Sequence, residues 1–476
     1  MHITVLGGGI GGLTAALLLG RRGHQVTVLE RDIRQAGADL DADFFDWHRP
    51  GVPQAIQPHG LLAPVRSLLL AEAPDVYGAM LRLGAGERHE FDWFDAHPPH
   101  RPGDEELVTV RARRIVLESA LREAAHRQSE VTLRQGTAAT GLLVDHAAPL
   151  PQVTGVRSSA GPLNADLVID AGGRRSPVPG WLAEAVGRAP VVERHRTGIA
   201  YFCRWYRLRP EAPEDPGRVR AGAGTAFATG GVFPSDNRIF AVALTVSTSD
   251  PTRGALRDPA VFEAVARTFA GCADWLALPH DPVGPVHAMA GLDNRWTSLV
   301  DEHGPLATGL LGVGDTLVHT NPTHGQGVPL TLRSVQWVAR HADAHHGAEL
   351  VTAYHRWAVD TLKPWFDRQV VSDRAEQDRL AGRAAPLSDT YAAARACCAM
   401  EDPVVMRARA QARHMVLPPE LAYGTPEIRS RVAAWMAANP GFAPAAGGPS
   451  REQWEELTSA RSGGNSRDKR MVVPAD

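Results

Sequence analysis

The chain opens on a short apolar run, Ile3-Thr4-Val5-Leu6, which breaks into the glycine cluster Gly7-Gly8-Gly9-Ile10-Gly11-Gly12. A continuous apolar stretch follows, then a second run, Gln25 to Leu29, closed by Glu30. This alternation predicts a strand, a tight turn, a helix and a second strand. Val110, Ile115, Leu117 and Leu121, with charged residues between them, predict an amphipathic helix over 110–126. Val131–Leu133 and Gly141–Val144 have strand character, and residues 164–171 form a strand running into a Gly172-Gly173 turn. From about 190 to 295 the texture changes. Gly198–Tyr206, Thr225–Phe227 and Arg238–Val246 are β-branched or aromatic runs separated by Pro, Gly and Asp, which predicts an antiparallel sheet inserted into the first fold. Leu306–Val313 adds one buried strand before Gly314-Asp315, helical patterns occupy about 327–435, and a Gly/Ser/Pro-rich tail follows residue 440.

The glycine spacing carries chemistry. Gly7 permits the turn, Gly9 lets the backbone approach a pyrophosphate, and Gly12 and Ala16 let the helix pack close to the sheet. Phosphates would sit over unpaired N–H groups at the helix start, where the macrodipole favours negative charge. Glu30, at the end of the second strand, is placed to accept hydrogen bonds from a ribose.

At 476 residues and 44% hydrophobic content the chain is long enough for two or three domains with sizeable cores. A formal charge of -3 offers no electrostatic attraction for nucleic acid or an anionic membrane. No apolar run approaches the ~18 residues of a membrane span. The four cysteines, Cys203, Cys272, Cys397 and Cys398, lack metal-ligand spacing, so no metal site is expected, and a reducing cytoplasm is the expected compartment. The only lysines are Lys363 and Lys469.

Three separated motifs agree with one another, and on them the chain resembles the FAD-dependent aromatic hydroxylases and epoxidases that share the fold of p-hydroxybenzoate hydroxylase. The first is the glycine fingerprint with Glu30. The second is Asp170-Ala171-Gly172-Gly173-Arg174-Arg175-Ser176, similar to the Asp-Gly element that lies beside the pyrophosphate in that family. The third runs from Gly314-Asp315 through Pro322-Thr323-His324-Gly325-Gln326-Gly327. Arg114, followed by Leu117-Glu118, is similar to the arginine that opens a helix in this family and reaches the phosphates. Val318 stands where the phenol hydroxylase branch carries histidine. Asn321-Pro322 and the Arg49…Gln54…His59-Gly60 segment look instead like actinomycete epoxidases and hydroxylases that tailor natural products.

The resemblance implies an α/β architecture: a Rossmann-like, glutathione-reductase-type FAD-binding domain over 1–82, 108–188 and 298–345, with an inserted antiparallel substrate-binding sheet over 83–107 and 189–297. A helical region over 346–440 and a partly mobile tail over 441–476 complete it. It assigns the cofactor to Gly7, Gly9, Gly11, Gly12, Glu30, Arg31, Arg49, Gln54, Arg114, Asp170, Gly172, Gly173, Asp315, Gly325 and Gly327. Pro322, Gly325 and Gln326 stand on the reacting side of the ring. His319 and His324 are expected as hydrogen-bonded loop histidines, and Phe202, Trp205, Phe227, Phe233 and Phe240 either line a substrate cavity or fill a core. The implied activity is a monooxygenase that forms a flavin C(4a)-hydroperoxide from O2 and passes one oxygen atom to an apolar alkene or aromatic small molecule. Electrons would come from NADPH or NADH, directly or through a separate flavin reductase. A dehydrogenase or reductase acting on a C–C bond is the alternative with the same cofactor grip. The active-site lysine and Trp-x-Trp-x-Ile-Pro motif of flavin halogenases are absent.

Overall fold

His2–Leu6 is the central strand of a five-stranded parallel sheet. Leu167–Asp170 and Gln25–Glu30 flank it, with Leu310–Gly312 and Val131–Gln135 at the edges. The computed structural model describes residues 1–49, 51–94, 97–213, 223–380, 387–442 and 447–459. The helix Ile10–Gly20 is apolar on every side and buries all its residues except Gly11. A helix with no polar face needs neighbours all round, and it packs between the helices Arg114–Arg127 and Gly327–His341.

The second sheet is antiparallel, in the order Ala223–Gly224, Ala228–Pro234, Ile239–Ser247, Ile199–Leu208, His280–Ala290. Alternation divides its side chains between two cores. Phe202, Tyr206, Phe240 and Leu244 pack under the helices Pro259–Ala266 and Ala270–Leu276, neither of which the sequence pattern predicts. Trp205, Ile239 and Ala241 face the other way, into the core of the parallel-sheet layer, where Trp205 meets Phe44 edge-on at 5.0 Å.

The helix expected over 110–126 begins only at Arg114, because Val108–Arg111 pairs as a strand with Gly86–His89. Thr225–Phe227 is a turn, closed by the Thr225 hydroxyl accepting from the Phe227 and Ala228 N–H groups. The strand expected over 306–313 shortens to Leu310–Gly312. In the tail, Arg451–Ser459 is a helix. Trp454 is fully buried and donates to Thr252 Oγ1 at 2.8 Å, and Arg451 pairs with Asp250 at 2.6 Å. The rest of the expectation for a mobile tail falls on 443–446 and 460–476, outside the described residues. The four cysteines are free thiols, and among the described residues no helix is long and apolar enough to cross a membrane.

Candidate cofactor and active-site cleft

A cleft opens at the carboxyl ends of the parallel strands, beside the central strand, where the strand order reverses between it and Leu167–Asp170. Ligands of open α/β sheets bind at such switch points. Six separated segments build it: 6–11, 29–32, 51–60, 137–139, 170–181 and 313–331, with Arg114, Met289 and Leu292 closing the walls.

Gly7, Gly9, Gly11, Glu30, Arg31, Gln54, Arg114, Asp170, Gly172, Gly173, Asp315, Pro322, Gly325 and Gly327 all line this cleft. Gly7 has φ +102°, and a Cβ there would stand 2.7 Å from the Ala171 carbonyl oxygen, so the two glycine turns touch through backbone alone. The helix Ile10–Gly20 starts at Gly9 without a side-chain cap, and so does Gly327–His341 at Gln326. Their first-turn N–H groups are left for a ligand.

Three expected residues do not line the cleft. Gly12 lies beneath it, against the Gly7 carbonyl. Arg49 is drawn aside by Glu118, with which it pairs, and by the Trp47 ring 4.5 Å away. Gln326 takes the helix N-cap position, and its Oε1 is buried with no hydrogen-bond partner. Of the five sheet aromatics, Phe202, Trp205 and Phe240 are core, Phe227 packs on Trp454, and Phe233 packs against the core of the parallel-sheet layer and against the small cluster of Tyr201, Cys203 and Ala243; none lines the cleft.

Glu118 joins the arginines. It accepts from Arg114 Nε at 2.8 Å and also from Arg49. Burial alone would raise its carboxyl, but the two guanidiniums outweigh burial and hold it near 2. Arg114, which lines the cleft, is therefore itself held by a fixed anion. Asp170, among the described residues, has no such cation at hydrogen-bond distance. It accepts from the Gly172 N–H at 3.0 Å and the Ser176 hydroxyl at 2.7 Å, and burial pushes it up to about 6 against those bonds. Burial also opposes the Asp315 charge, but His319, 3.3 Å away, with Arg114 and Arg174, keeps that carboxyl below its ordinary range. His59 lines the cleft, and burial together with Arg114 depresses it to about 4, so it is neutral at pH 7. Glu30 accepts from the Gly8 N–H at 2.6 Å and the Asp32 N–H at 2.9 Å, bracing the first turn.

The segment 51–60 is fastened to the second sheet. Trp205 Nε1 donates to the Ile56 carbonyl at 2.8 Å, and the Cys203 thiol to Gln57 Oε1 at 3.1 Å. Sequence reasoning missed Gln57, Met289 and Leu292, which carry no motif, and it gave no individual role to Arg174 and Arg175, which it included in the second motif and which also line the cleft. A group of potential metal ligands, His89, Asp92 and His100, stands outside the cleft lining. Both His89 ring nitrogens are already used there, by the Asp104 carbonyl and the Phe91 N–H.

The fold is that of FAD-dependent monooxygenases and halogenases. Residues 5–52 match the model of the NAD(P)-binding Rossmann-like domain. Over 405 residues the chain is 27% identical to Protein Rv3254 of Mycobacterium tuberculosis, spanning 78% of this chain and 80% of that protein. PqsL of Pseudomonas aeruginosa, described as a probable FAD-dependent monooxygenase, superposes with a TM-score of 0.57 at 18% identity, covering 80% of this chain and 99% of its own. The myxobacterial chondrochloren halogenase CndH superposes with a TM-score of 0.57 at 17% identity, over 95% and 98%.

Proposed function

We propose that the chain is an FAD-dependent monooxygenase that inserts one oxygen atom from O2, by epoxidation or hydroxylation, into an apolar alkene- or aromatic-containing small molecule of secondary metabolism. The observation that carries this reading is the convergence on one cleft of three motifs about 160 and 145 residues apart. The residues present fit the cofactor: two uncapped helix starts face the cleft, and glycines line it where any side chain would intrude. Gly7, Gly9, Gly11 and Arg114 would hold the pyrophosphate, Glu30 the ribose, Asp315 the ribityl chain, and the first turn of Gly327–His341 the pyrimidine edge of the ring.

Bound FAD would supply oxygen activation and transfer; NADPH or NADH, directly or through a separate reductase, would supply electrons. The protein's part is to orient and to exclude water. Pro322, Gly325, Met289 and Leu292 line the same cleft, and the last two would offer apolar surface to the substrate. Among the described residues, the only imidazole at the cleft paired with a carboxylate is His319, and it serves Asp315. Oxygen transfer to an alkene or an electron-rich ring needs no base to deprotonate the substrate, which suits that arrangement.

The halogenase-like superposition does not extend to chemistry. Lys363 is occupied by Glu193 at 2.8 Å and does not line the cleft, and no lysine precedes it. The test is to reconstitute the protein with FAD, supply NADPH with a flavin reductase, and offer alkene and aromatic substrates under 18O2. One labelled oxygen atom in the product supports the reading. An unlabelled desaturated or saturated product assigns the dehydrogenase chemistry instead, and failure to take up FAD overturns both.

A further inference from the structure

The turn that carries Pro322 is held from below by a carboxylate that belongs to neither the cleft nor the three motifs. Asp373, on the helix Lys363–Leu380, is 5% exposed and accepts three amide N–H bonds. They come from Asn294 Nδ2 at 2.6 Å, Asn321 Nδ2 at 2.9 Å and Gln369 Nε2 at 2.7 Å. Asn294 returns its own Oδ1 to the Asn321 N–H at 2.6 Å, and Asn321 Oδ1 accepts from the Thr323 N–H at 3.1 Å. Asn294, Asn321 and Gln369 are all buried, and among the described residues Asp373 has no ion-pair partner.

This arrangement is directional. A carboxylate has two oxygens that only accept, so it can face three amide donors at once and leave no choice of orientation to either asparagine. With both asparagine amides fixed, the backbone N–H groups on each side of Pro322 are fixed as well. The chain then enters Gly325 with φ +71° and starts the helix Gly327–His341 at the cleft.

We propose that Asp373 is a positioning residue that sets the turn Asn321–Gly325, and through it the stance of Pro322 toward the reacting face of the flavin. The proposal rests on reading that turn as the ring-side wall. It makes the C-terminal helices part of the oxygen-transfer site without any of their residues reaching it. Asp373→Asn keeps the shape but offers one accepting oxygen to three donors, leaving buried amides unpaired. The exchanged pair, Asp373→Asn with Asn321→Asp, restores a donor–acceptor pair between the two positions and keeps the bond from Asn294, provided the Gln369 amide turns so that its Oε1, which has no partner among the described residues, accepts from the new amide.

The first readout is hydrogen exchange of the 318–328 peptide in the FAD-free protein, and the second is hydrogen peroxide released per NADPH consumed by the FAD-loaded protein. Asp373→Asn is expected to speed exchange in that peptide by about tenfold and to raise the peroxide fraction severalfold, with FAD affinity changed by less than about threefold. The exchanged pair is expected to return both toward wild type. Unchanged exchange in Asp373→Asn, or an exchanged pair no better than the single variant, overturns the proposal. If Asp373→Asn does not fold, Gln369→Leu, which removes one donor only, carries the same expectation at reduced size, and unchanged exchange there also overturns it. Failure of every form, wild type included, to bind FAD would defeat the functional reading, and hydrogen exchange alone would then decide whether Asp373 sets the turn.

Discussion

A Cβ placed on Gly12 would lie 1.8 Å from the carbonyl oxygen of Gly7. The fingerprint helix thus rests directly on the turn that precedes it, backbone against backbone. Gly12→Ala is expected to cost more than about 3 kcal/mol, because neither partner is a side chain that can move aside. Soluble yield and the Tm of the FAD-free protein measure this, and a wild-type Tm would refute it.

Gly327 should behave in the opposite way. Nothing lies within 4 Å of a Cβ there, and the position faces the cleft in the first turn of a helix. Gly327→Ala is expected to leave the Tm of the FAD-free protein equal or slightly higher, since alanine favours helix by up to about 1 kcal/mol. FAD affinity should fall by tenfold or more. Flavin fluorescence titration checks the pair of outcomes.

Arg114 and Arg49 share Glu118, but only Arg114 lines the cleft. Arg114→Ala is therefore expected to weaken FAD binding by at least about tenfold, the loss of a charge-assisted contact, and Arg49→Ala by clearly less. Dissociation constants in the reverse order would show that Arg49 swings into the phosphate site on binding.

Asp170 sets a pH dependence of known sign. Its folded-state carboxyl is raised by burial from 3.8 to about 6, so folding favours the protonated form. Its contribution to stability is full below about pH 3.8 and is lost as pH rises through about 6. The FAD-free wild type should lose up to about 3 kcal/mol relative to Asp170→Asn between pH 4 and 7, at about 1.4 kcal/mol per tenfold change in proton affinity. Denaturant unfolding of both proteins across that range tests it, and a constant difference would contradict it.

Pro322→Ala, or a bulky residue at Gly325, whose Cβ would stand 3.2 Å from the Gly60 carbonyl oxygen, is expected to raise peroxide release severalfold while lowering FAD affinity far less. An unchanged peroxide yield with lost FAD would assign these positions to cofactor binding alone.

The parallel strands and the glycine turns were legible because they are local: an apolar run, a turn and a capless helix start each write themselves into adjacent residues. Relationships across the chain were not. The spacing of Arg114 and Glu118 shows that they share a helix face, but nothing in the sequence brings in Arg49, which lies 69 residues before Glu118. The aromatics of Ile199–Leu208 alternate as strand residues should, yet which face looks at which core depends on Pro259–Ala266 and Ala270–Leu276, whose apolar pattern is short and weak. Val110 fits a helical stripe as well as a strand, and only pairing with Gly86–His89 decides between them. Asp373 lies 46 residues past Gly327, where the last family-like motif ends, and carries no motif of its own.

The cleft is assembled from six stretches of chain, and one of them, 51–60, is tied by Trp205 and Cys203 to a strand nearly 150 residues away. The binding site is thus a property of the whole knit and cannot be excised. A fragment ending at residue 52 would keep the fingerprint but lose most of the walls of the cleft. Conversely, on the proposed reading, changes in the second sheet would be felt at the cleft through Trp205 and Cys203, so substrate and cofactor recognition would evolve together.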